Sequence, residues 1–120
     1  VRPRLERAGG HDEARARALP QARMMARLRT GQALTALETV EEAQAAPLDG
    51  AAGEMVEDSL RRWAVGTPDD AAAEVRRLAE RHGVDEVMVV PVAASRADEA
   101  LDATPGRART LELLAGALAA

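Results

Sequence analysis

Apolar and polar positions fall into a legible order in one stretch above all, residues 62–92. Trp63-Ala64-Val65 is a short apolar run stopped by Gly66. Thr67 then suits a helix N-cap, Pro68 the first helical position, and Asp70 stands where a carboxylate can face free amides. Ala71, Val75, Leu78, Ala79 and His82 follow at helical spacing and form one stripe. Arg76, Arg77 and Arg81 carry the sign that the C-terminal end of a helix prefers, and Gly83 is the expected left-handed stop. Val87-Met88-Val89-Val90 is apolar without alternation, the pattern of a strand covered on both faces. Two such runs joined by a helix predict a right-handed βαβ unit of parallel strands over 62–92.

The flanking chain is less regular. Residues 1–21 form an arginine-rich N-terminal segment, with 1–10 read as a loose end broken by Pro3 and Gly9-Gly10. Val1 where a methionine would stand reads as a non-standard start or a cut piece of a longer chain. Ala14, Ala18, Ala22, Met25 and Leu28 predict two helical pieces over 11–29, interrupted at Pro20. Thr39 and Glu42 have capping-box spacing before a short helix to Ala46. A turn at Pro47-Leu48-Asp49-Gly50 leads into a helix over 51–62 with Met55, Val56 and Leu60 turned inward. Beyond Val92 the chain is polar, with a helical turn over 96–101. Pro105-Gly106 marks a boundary, and a final helix over 107–120 carries Leu111, Leu114, Ala115 and Leu118 on one face.

Composition narrows the possibilities. The chain has 120 residues, 47% of them apolar, yet 28 are alanine, one is tryptophan, and none is Phe or Tyr. A buried Val, Leu or Met contributes roughly 1.5–3 kcal/mol and an alanine much less, so the core is poorly supplied. All 16 basic residues are arginine; net charge is −4 and the pI about 5.2. That balance argues against a nucleic-acid surface. The absence of cysteine excludes disulfides and thiolate chemistry. Without a long apolar run or a signal-peptide core, no membrane segment is expected and a cytoplasmic location is.

Candidate chemical groups each have a plainer role. Gly66-Thr67-Pro68 opens a helix, and helix N-termini attract anions, but Asp69 and Asp70 would repel one, so capping is preferred. Those two carboxylates are consecutive and do not converge as a catalytic pair. His82 is read as a core or cap histidine and His11 as a lone imidazole without a second ligand. Asp85 and Glu86 precede the strand and are read as solvated. Trp63 is read as packing. No catalytic residue and no metal site is assigned.

Val65-Gly66-Thr67-Pro68, Gly83-Val84-Asp85-Glu86-Val87-Met88-Val89-Val90 and Leu111-Glu112-Leu113-Leu114-Ala115 together resemble the carboxy-terminal part of luciferase-like monooxygenases. Leu28-Arg29-Thr30-Gly31-Gln32 resembles that family's arginine-glycine turn, so the likeness runs over 22–120. It departs at Ala93-Ala94-Ser95-Arg96-Ala97-Asp98, where the family often has a His-Asp pair. The resemblance implies an α/β fold: the last two parallel strands and flanking helices of a (β/α)8 TIM barrel, as an incomplete fragment, since such barrels need about 200 residues or more. Its rim positions would be 65–67 and 90–92, which offer walls and no acid or base. The implied parent is a bacterial flavin-dependent oxidoreductase that uses reduced FMN, or a deazaflavin, and O2 to oxygenate a small organic substrate, with a homodimer as its assembly. In that family flavin and catalytic residues come from earlier strands, so none is carried over. The alternative is a non-catalytic α/β interaction protein that self-associates or binds a partner through amphipathic helices.

Overall fold

A computed structural model describes residues 2–100 and 102–120. The described chain holds five helices: α1 (Arg2–Arg29), α2 (Val40–Ala45), α3 (Gly50–Arg62), α4 (Pro68–His82) and α5 (Pro105–Ala119). No strand occurs among the described residues. The expected α/β fragment with parallel strands is therefore corrected to an all-helical arrangement. α1 packs against α3 and α2, and α4 against α5.

The physical reason for the missing sheet lies at both ends of the predicted βαβ unit. α3 runs through Arg62, and the Trp63 N–H still donates to Ser59 O at 2.9 Å. The Val65 N–H then donates to Trp63 O at 2.9 Å, closing a three-residue turn that uses up the carbonyl a ladder would need. Residues 86–92 form no regular element, and no backbone hydrogen bond joins them to any described residue. Two strands of three or four residues cannot sustain a sheet without further strands and cover on both faces. Apolar character alone does not make a strand here.

The helices mostly follow the predicted signals. Thr39 caps α2 through the capping box with Glu42. Thr67 caps α4: Asp70 N–H donates to its Oγ1 at 3.2 Å, and Asp70 Oδ2 accepts the Thr67 N–H at 3.3 Å. Gly83 ends α4 at φ 61°, ψ 39°, the left-handed conformation that glycine adopts without a Cβ penalty. α5 begins at Pro105, two residues before the expected Arg107, because a proline fits the first helical turn.

α1 departs most. It is one helix from Arg2, not a loose end and two pieces, and it continues through Pro20. Proline removes the bond to the Ala16 carbonyl and crowds the preceding turn. The adjacent Arg17 carbonyl accepts an outside donor, the Ala94 N–H, at 2.8 Å. Pro20 itself is fully buried, so packing outweighs the lost helix bond. The 96–101 helical turn is not seen over 96–100, where the chain forms a hydrogen-bonded turn and a bend; Leu101, like Val1, lies outside the described residues.

The core is thin, as composition implied. Its main cluster is Ala18, Ala22, Ala26, Val56 and Leu60, with Leu19, Met55, Trp63, Val65 and Val92 packed against it. The three alanines recur every fourth residue and let α3 lie close along α1. The radius of gyration is 15.1 Å, against about 14 Å for a close-packed domain of this length. Accessible surface is 8045 Å², where a compact monomer of this mass exposes about 6,200 Å².

Candidate functional site

The densest polar constellation lies where α1, α2 and the 94–99 loop meet. Arg17 donates from Nε to Glu13 Oε1 at 2.7 Å and from Nη1 to Glu99 Oε1 at 2.7 Å, with a further bond from Nη1 to Ala94 O at 3.1 Å. Arg96 donates from Nε to Glu13 Oε1 at 3.0 Å, from Nη1 to Glu41 Oε2 at 3.4 Å, and from its backbone N–H to Glu99 Oε1 at 2.7 Å. Glu41 also accepts the Ala97 N–H at 2.7 Å, and the Val40 N–H at the start of α2 donates to Ser95 O at 3.0 Å. Gly106 of α5 sits so close that a Cβ there would lie 2.9 Å from Arg17 Nη1.

The protonation states follow from these contacts. Hydrogen bonding to Arg96 brings the Glu13 carboxyl down to about 2, against the opposing effect of burial. Arg17 holds Glu99 below the usual carboxylate range, and the Ala97 N–H does the same for Glu41. Both guanidiniums are held more firmly protonated by their glutamates. The three carboxylates stay ionised against two guanidiniums and the backbone amides of Arg96 and Ala97, which leaves one net negative charge, and carboxylates held this far below their usual range are weak general bases. Their role is to clasp the loop to the helices.

A second group is buried between α1 and the segment before α2. Arg23 is almost fully buried and donates from Nε to Glu38 Oε1 at 2.8 Å, with its Nη1 on the Ala46 carbonyl. Arg27 also reaches Glu38, at 3.2 Å. Arg23, foremost, keeps the Glu38 carboxyl below its usual range. Beside it a groove of about 380 Å³ runs between α1, α2 and α3, lined by Leu19, Arg23, Pro47, Leu48 and Val56. Arg15 on its wall is taken up by both Glu57 oxygens, at 2.7 and 2.8 Å. The groove brings no nucleophile together with a base.

Of the residues singled out from sequence, only those around the start of α4 are brought together. Gly66, Thr67 and Asp70 form the α4 cap, and His11 lies over it: a Cβ at Gly66 would be 3.0 Å from Asp70 Oδ2 and 3.3 Å from His11 Nδ1. Asp69 is exposed, as are Asp85 and Glu86. His82 is exposed, not a core histidine: the buried residue of α4 is Ala72, near its start, and the last turn lies open. Trp63 is half-buried on the α1–α3 cluster, in line with packing. Of the rim positions 65–67 and 90–92, Val65 and Val92 both pack on the core cluster, but Val90 is 73% exposed and no backbone bond joins the two runs. Met88 is 91% exposed, and Val89 beside it is exposed as well.

Sequence reasoning missed the clasp. Glu13 and Arg17 have the i,i+4 spacing of a helical ion pair and could have been found. Arg96 lies 83 residues from Glu13 and Glu99 82 from Arg17, and no local pattern reports those contacts. Among the described residues no group of three His, Cys, Asp or Glu side chains is placed to hold a metal ion. No helix among them is long and apolar enough to cross a membrane. No family model matches the chain, and neither characterised proteins nor solved structures give a match to it.

Proposed function

We propose that the chain is the carboxy-terminal portion of a flavin-dependent oxidoreductase of the luciferase-like family. The parent reaction is oxygen transfer to a small organic substrate from reduced FMN, or a deazaflavin in a related enzyme, and O2. The portion alone is inactive. The run of motifs from Val65 to Ala115 supports the kinship. The observation that carries the reading is the segment 87–90: apolar, outside any helix, with Met88, Val89 and Val90 exposed and its backbone groups unpaired among the described residues. Apolar side chains and unpaired backbone groups exposed together in this way need cover. The chain also exposes about 1,800 Å² more than a compact monomer of its mass would, roughly the scale of a protein–protein interface.

The test is to join the chain to the in-frame coding sequence that precedes it and measure flavin binding and flavin-dependent O2 consumption. The chain alone binds no flavin, and the joined protein binds it. Absence of any flavin-enzyme sequence in frame upstream would refute the proposal, as would stoichiometric flavin binding by the chain alone.

A second reading is favoured by α5, where Leu111, Leu113 and Leu118 are exposed. A non-catalytic helical protein could cover them by self-association. Sedimentation equilibrium separates the two: this reading requires a cooperatively folded homodimer and no flavin-enzyme sequence upstream.

A further inference from the structure

We draw no further inference here: the strongest candidate, the exposed apolar segment 86–92 between α4 and the 94–99 loop, already supports the reading proposed above, and nothing in the structure shows what else would cover it.

Discussion

Replacing Glu13 by glutamine removes the central charge of the clasp while keeping its shape. In the native chain Arg17 and Arg96 both donate to Glu13 and hold its carboxyl at about 2, from an ordinary value of 4.5. Taken whole, that difference corresponds to roughly 3 kcal/mol of stabilisation of the charged form. The side chain is 42% exposed, so water and salt screen most of it, and ~1 kcal/mol is the expected loss for Glu13→Gln near neutral pH. The sign follows from the depressed value. The contribution is complete above the unfolded-state value of about 4.5 and disappears as the pH falls through about 2. Urea unfolding followed by far-UV circular dichroism should therefore show a lower midpoint for the variant near neutrality. The gap should narrow progressively between those two pH values and shrink in high salt. An unchanged midpoint at neutral pH, or a gap that persists in strong acid, would refute the assignment of Glu13 as the centre of the clasp.

Other outcomes follow from packing and capping. Thr67→Ala removes the acceptor for the Asp70 amide and should cost about 1 kcal/mol, seen as a lower melting temperature. Ala22→Leu introduces bulk at a fully buried position between α1 and α3 and should destabilise by roughly 1–3 kcal/mol in urea titrations. Met88→Lys, at a 91% exposed position, should leave the isolated chain within about 0.5 kcal/mol of its original stability. If the proposed kinship holds, the same change should weaken flavin binding by the joined protein, where residue 88 would be covered.

Helix signals were legible because they are local. Thr67 with Asp70, Thr39 with Glu42, and Gly83 each act within four residues, so their chemistry is complete in the sequence. The same locality explains the sheet error. Val87 to Val90 have strand composition, but a strand exists only through a neighbour, and the required neighbour closes on itself at Trp63–Val65. Pro20 misled for the opposite reason. Its local cost is real, yet burial in the α1 packing and the docking of Ala94 on the Arg17 carbonyl outweigh it. The candidate site was the least legible part. The sequence assigns no catalytic role to His11, Asp69, Asp70, His82 or Asp85, and the residues that converge in the clasp are ordinary Arg and Glu scattered from 13 to 99.

The bond from Ala94 to Arg17 gives the chain a strap. After Val84 is fixed to Ala79 O at 3.0 Å, the next backbone anchor along the chain is Ala94, at 2.8 Å from the Arg17 carbonyl. In backbone bonds the intervening stretch is fastened only at its ends, like a bridge deck resting on two piers, with Val92 beside one pier packed on the core. Its amides make no backbone bond and should exchange with solvent faster than the two anchoring amides. Another chain could therefore zip onto the deck without prising any native backbone bond apart, and neither pier would have to move.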